Sequence, residues 1–178
     1  MRNYLEENLR KIINKDYKVG IVGMGYVGLP LSLAFCEKGI KTIGFDINSN
    51  IIRSLANGES YINHIKSSDL KRYVKSKSLQ PSSSFEDITE VTFIIICVPT
   101  PLNKNQEPDL KHILSSLNSI KKYLKKGQIL CLESTTFPGT TEEILKPYIE
   151  KEGFNIGKDF FLIYSPERED PGNKFFNT

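Results

Sequence analysis

Long apolar runs, net charge and cysteine are all scarce in this sequence, and each shortage closes off a class of function. No stretch is continuous and apolar enough to cross a bilayer, and Met1 to Lys18 carries Glu6 and Glu7 where a signal peptide would be apolar. The expectation is a cytoplasmic protein with no membrane partner. The formal charge is only +3. The basic clusters Lys71, Arg72, Lys75, Lys77 and Lys121, Lys122, Lys125, Lys126 lack interleaved aromatics and are spaced as solvated helix faces, so nucleic acid is not an expected partner. Cys36, Cys97 and Cys131 sit inside apolar runs without metal-ligand spacing. They read as reduced core thiols in a reducing compartment, with no metal site expected.

What is present suits one soluble domain. The chain has 178 residues, 39% hydrophobic and 25% charged, enough to bury a single sheet-and-helix core without a staple. Leu5, Leu9, Ile12 and Ile13 recur at helical spacing, so residues 3–14 predict an amphipathic helix laid against the body of the domain. Tyr17 to Val22 is a short β-rich run ending in glycines, and Tyr26 to Lys38 reads as a helix closed by Gly39. Lys41 to Asp46 is a second strand, after which Asn48 or Ser49 caps a helix running to Asn57 and stopped by Gly58.

Val91 to Val98 is unbroken and rich in isoleucine and valine, as a parallel strand covered on both faces should be. Pro108 and Asp109 open a helical pattern to about Lys125, and Gln128 to Leu132 is strand-like before a polar turn from Glu133 to Gly139. Thr140 with Glu143 matches a capping box, opening a helix that Pro147 should kink. Phe160 to Tyr164 supplies a further strand. Strands alternating with helices, without an internal repeat, predict an α/β fold: a Rossmann-like doubly wound parallel sheet over 17–178, preceded by an amino-terminal helix over 1–16.

The strongest local signal is Gly23-Met24-Gly25-Tyr26-Val27-Gly28, which comes after a strand, opens a helix and has Asp46 at the end of the next strand. The first glycine permits a tight turn, the second lets backbone approach a pyrophosphate, and the third allows close helix–strand packing. The helix amino terminus presents N–H groups and the positive dipole end to phosphates. Asp46 can accept from ribose hydroxyls and would repel a 2′-phosphate, which favours NAD over NADP. Further polar groups gather at predicted strand ends: Pro99-Thr100-Pro101, Ser134-Thr135-Thr136 and Glu167-Arg168-Glu169. That edge is where open α/β sheets bind ligands.

Gly-Tyr-Val-Gly-Leu-Pro at 25–30, Gly-Glu-Ser-Tyr-Ile at 58–62, Cys-Val-Pro-Thr-Pro at 97–101, Glu-Ser-Thr-Thr-Phe-Pro-Gly-Thr at 133–140 and Ser-Pro-Glu-Arg-Glu-Asp-Pro-Gly at 165–172 resemble the UDP-glucose/GDP-mannose dehydrogenases. Thr100 to Asn103 and the Ser-Pro-Glu-Arg segment look more like the branch that oxidises UDP-N-acetylhexosamines. The resemblance covers the family's first domain only. It implies an enzyme that oxidises a sugar's primary alcohol to a carboxylate by two hydride transfers to NAD, for surface polysaccharide synthesis, as a homodimer in full length. The nucleophilic cysteine, lysine and asparagine belong to the family's second half, so this chain alone is expected to bind cofactor without turnover.

Carried over by position, the resemblance assigns cofactor contacts to Gly23, Met24, Gly25, Tyr26, Val27, Gly28, Asp46, Ile47, Val98, Pro99, Thr100, Ser134 and Thr135. Thr135 and Glu167 are the candidate catalytic groups, Thr135 helping to hold the catalytic water and Glu167 serving as general base or organising water in the hydrolytic step, and Glu167, Arg168 and Glu169 approach the UDP-sugar. Arg53 reads as a solvated helix-face charge. A non-catalytic NAD-binding or regulatory module is the alternative, and a hydroxyacid or 6-phosphogluconate type dehydrogenase fits the motifs less well.

Overall fold

Six parallel strands carry the architecture, and the computed structural model describes residues 3–166 of the chain. In chain order the strands are β1 (Lys18–Val22), β2 (Lys41–Phe45), β3 (Leu79–Ser82), β4 (Phe93–Ile96), β5 (Ile129–Leu132) and β6 (Phe161–Tyr164). They lie in the order β3-β2-β1-β4-β5-β6. The sheet is therefore wound outward in both directions from β1 and β4, the doubly wound topology whose switch point makes a crevice at the strands' carboxyl ends.

Both faces of the sheet are buried at β4, which explains the unbroken apolar run there. Ile94 and Ile96 point to a core shared with Phe45, Leu130, Leu132, Leu117 and Ile149. Ile95 and Cys97 point to the opposite core, with Ile21, Leu29, Leu55 and Leu70. Among the described residues, six α-helices cover these faces or flank them: α1 (Tyr4–Ile13), α2 (Gly28–Glu37), α3 (Ser49–Asn57), α4 (Ser67–Lys75), α5 (Lys111–Ile120) and α6 (Lys146–Glu150). All three cysteines are buried as thiols, on the face that α2 covers. No described helix is long and apolar enough to cross a membrane.

Several expectations change in detail. The helix α1 forms, but its Leu5–Leu9–Ile12–Ile13 stripe stays exposed; the docked side is instead Asn8, 3% exposed, whose Nδ2 donates to the Gly127 carbonyl at 2.9 Å. Helix α5 is shorter than its pattern, because the Asp109 carboxylate accepts the Lys111 N–H at 2.9 Å at one end and a 3₁₀ turn, Lys121–Tyr123, replaces it at the other. Thr140 is not a cap. Gly139, at φ 93°, holds that position, and the Thr140 hydroxyl donates back to the Phe137 carbonyl at 2.8 Å. A π-turn, Thr140–Leu145, comes next, and Pro147 falls in the first turn of α6, where a missing N–H costs little, rather than at a kink inside a longer helix. Lys71, Arg72 and Lys75 do lie on α4, whereas Lys77 lies beyond it; Lys125 donates to the Thr89 carbonyl, and Lys126 pairs with Asp159 at 2.8 Å.

Candidate cofactor site

The turn after β1 is shaped by what its glycines leave out. Gly23 takes φ 96°, donates its N–H to the Phe45 carbonyl at 2.8 Å, and would place a Cβ 2.8 Å from the Cys97 carbonyl oxygen. Gly28 opens α2 so close to the turn that a Cβ there would stand 1.9 Å from the Gly23 oxygen. Gly25 differs from both: a Cβ on it would meet no atom within 4 Å. The first and third glycines thus serve packing, and the second leaves room for a ligand.

Asp46 at the end of β2 ties this turn to the next strand. Its Oδ2 accepts the Met24 N–H at 2.9 Å, and its Oδ1 accepts the Asn48 N–H at 2.8 Å. Each carboxylate oxygen keeps a second lone pair, and Asp46 lines the crevice. On the far side, the Tyr61 hydroxyl donates to the Met24 carbonyl. Burial first, and the neighbouring Asp46 charge second, push the Tyr61 phenol above its ordinary range, so it remains a donor.

These elements border a cleft of about 610 Å³, a size usual for small-molecule and cofactor sites. Of the residues assigned to cofactor, Gly23, Gly25, Tyr26, Val27, Asp46, Ile47, Val98, Pro99, Thr100, Ser134 and Thr135 all line it. Met24 and Gly28 do not. The Met24 side chain is fully buried under β2, and Gly28 is closed off against Gly23, so neither presents a side chain to the cleft. Ser134 lies in the wall with its hydroxyl committed to the protein, donating to the Val98 carbonyl at 2.7 Å and reaching the Ile96 carbonyl at 3.3 Å. Thr135 beside it is exposed to the cleft. Arg53 is exposed and forms no part of the lining. Glu167, Arg168 and Glu169 lie outside the described residues.

The cleft also has residues that the motifs did not single out. His112, Ser115, Ser116 and Ser119 of α5 form one wall, with Ile51, Phe85 and Asn48 nearby. Their spacing of three and four along α5 is a signal that could have shown a polar stripe, but not what it faces. Glu133, the first residue after β5, lines the cleft as well, and the Cys97 thiol lies 3.8 Å from its Oε2. Burial, then the Glu133 charge, push the Cys131 thiol up to about 11.

Among the described residues the lining contains neither lysine nor arginine. What the described residues offer a pyrophosphate here is backbone N–H groups and the amino end of α2, which no side chain caps. A ribose diol fits the lone pairs of Asp46, whereas a 2′-phosphate would meet that carboxylate without a compensating lining cation. The donor set suits NAD.

Comparison with known proteins agrees with this geometry. The model of the UDP-glucose/GDP-mannose dehydrogenase family, NAD binding domain, matches residues 17–178. Protein CapL of Staphylococcus aureus is 42% identical over 157 residues, which are 88% of this chain and 36% of that protein. The UDP-N-acetyl-D-glucosamine 6-dehydrogenase of Pseudomonas aeruginosa is 41% identical over 161 residues, 90% of this chain and 37% of that one. Among solved structures, the UDP-N-acetyl-mannosamine dehydrogenase Cap5O of S. aureus superposes with TM-score 0.81 at 37% identity, covering 87% of this chain and 38% of its own. The chain thus spans little more than a third of the curated relatives it matches. From residue 17 onward it belongs to the UDP-glucose/GDP-mannose dehydrogenase family, as that family's NAD-binding domain.

Proposed function

We propose that this chain is the cofactor-binding part of a nucleotide-sugar 6-dehydrogenase that converts the primary alcohol of a UDP-N-acetylhexosamine to a uronate. The observation that carries the proposal is the convergence of the glycine turn, Asp46, Thr100 and Thr135 on one cleft at the sheet's carboxyl edge. The balance is one primary alcohol and one water with two NAD⁺, giving one carboxylate, two NADH and three protons. When bound, NAD supplies the hydride acceptor for both oxidations.

The chain's own residues bind and orient. Asp46 accepts the adenosine ribose hydroxyls while remaining fixed by the Met24 and Asn48 N–H groups. The backbone of Gly25, Tyr26 and Val27 meets the pyrophosphate at the positive end of α2. Thr100 and Thr135, on the β4 and β5 side, border the nicotinamide half, and the Thr135 hydroxyl is the group on this wall suited to hold the hydrolytic water. Glu167 as base and Arg168 and Glu169 as sugar contacts complete the proposal. The other catalytic groups come from the remaining two thirds of the enzyme's length, and the same reading gives the whole enzyme a homodimeric form in the cytoplasm.

Calorimetric titration of this chain with NADH and NADPH tests the proposal. The expected result is saturable NADH binding, with NADPH weaker by at least about tenfold. Mixed with UDP-N-acetylglucosamine and NAD⁺, the isolated chain should form no NADH. Equal affinity for the two dinucleotides, or turnover by the isolated chain, would overturn it.

A further inference from the structure

We infer that Tyr61 is a positioning residue for the cofactor's pyrophosphate, acting through the Met24–Gly25 peptide. This rests on the reading of the cleft as an NAD site. The Met24 carbonyl and the Gly25 N–H belong to one planar trans peptide, so they point in opposite directions. The Tyr61 hydroxyl holds the carbonyl from the core side, where Tyr61 packs against the buried cluster around Leu29 and Ile62. The Gly25 N–H is thereby aimed away from the core, at the one position of the turn where a Cβ would meet open space. Without the phenol the Met24 carbonyl loses this donor, and a rotated peptide would present its oxygen, a repulsive partner for phosphate, toward the ligand.

Tyr61 is itself held firmly enough to do this. The segment that carries it leaves α3 at Gly58, φ 71°, where a Cβ would stand 2.8 Å from the Lys71 Cα of α4. Ser60 closes a tight turn, its hydroxyl donating to the Ile62 carbonyl at 3.0 Å and accepting the Ile62 N–H at 3.2 Å. The Ser60 N–H donates to Ser67 Oγ at 3.0 Å, and Ile62 is 2% exposed. On the other side of the same residue, Asp46 takes the Met24 N–H and the Met24 side chain is buried beneath Gly44. Residue 24 is therefore fixed by its N–H, its carbonyl and its side chain. The middle fixture comes from a loop that does not line the cleft.

Tyr61→Phe removes one oxygen and keeps the ring. In the 178-residue chain it should weaken NADH and ADP-ribose roughly three- to tenfold, the span of one ordinary hydrogen bond. Adenosine, followed by NMR titration, should bind both proteins alike because it lacks the pyrophosphate. In the unaltered chain the Gly25 amide resonance should move on adding NADH or ADP-ribose and stay in place with adenosine. Equal NADH affinity in the two proteins, an equal loss for adenosine, or a Gly25 amide indifferent to NADH would each overturn the role of Tyr61. Absence of NADH binding by the unaltered chain would remove the cleft reading and this one together.

Discussion

Two alanine substitutions in the glycine turn separate packing from ligand access. At Gly28 an added Cβ would stand 1.9 Å from the Gly23 oxygen and 3.0 Å from its carbonyl carbon. An unstrained carbon–oxygen contact needs about 3.3 Å, so helix and turn must part by roughly 1.4 Å. Inserting an atom into packed surroundings costs about 1–3 kcal/mol, and the cost should fall at the upper end because Gly23 and Met24 are both hydrogen-bonded to the β2 end. For a chain of this size the melting temperature should fall by roughly 6–12 °C. At Gly25 an added Cβ meets nothing within 4 Å, so stability should stay within about 0.5 kcal/mol. The new methyl would instead fill the approach to the turn and weaken NADH by at least about tenfold, or 1.4 kcal/mol. Circular dichroism melts without cofactor and calorimetric titration with NADH read the two effects separately. Wild-type NADH affinity in Gly25→Ala, or a Gly28→Ala melt within about 2 °C of wild type, would refute the division of labour.

Two further predictions concern ionisation. Lys126 and the Asn155 N–H hold the Asp159 carboxyl below its ordinary value of 3.8, so its stabilisation is complete at neutral pH and is lost as pH falls through and below that value. Asp159→Asn should therefore melt lower than wild type at pH 7, and the gap should close on acidification toward pH 3; a gap independent of pH in thermal melts would contradict the assignment. Cys131, with its thiol near 11, is thiolate in about one molecule per thousand at pH 8. Iodoacetamide at pH 8 should leave it unmodified on the timescale of a free thiol, as mass spectrometry of the peptide would show; alkylation at the free-thiol rate would contradict its burial.

The glycine turn was legible because its requirements are backbone requirements. Only glycine satisfies φ 96° at Gly23 or a gap of 1.9 Å at Gly28, so chemistry and sequence coincide there. The same holds for Asp46, whose position at the end of a strand is set by the apolar run before it. Strand β3 was not legible: it is four residues long, lies at the sheet edge and pairs only with β2 among the described residues, and it contains Pro81, which edge strands tolerate and sequence patterns read as loop. Thr140 and Glu143 misled because capping residues match by spacing alone, whereas Gly139 supplies the left-handed turn that decides the geometry. The α5 wall escaped notice for another reason. Nothing local says that His112 and Ser115 face β2 across a crevice, since that depends on the strand order. The bond from Tyr61 to Met24 spans 37 residues and has no periodic trace at all.

The packing of Met24 against Gly44 bears on how such a domain can change. A Cβ at position 44 would come within 2.6 Å of the Met24 sulfur, and Met24 is fully buried. Strand β2 has in effect given up its own side chain at that point and accepted one from the neighbouring turn. Residues 24 and 44 are therefore one packing unit divided between two segments. A β2 transplanted from another nucleotide-binding domain with alanine or valine at position 44 would force the turn outward, unless residue 24 were shortened in the same step. Substitution in the glycine turn is thus limited from below the cleft by a strand residue that does not line it.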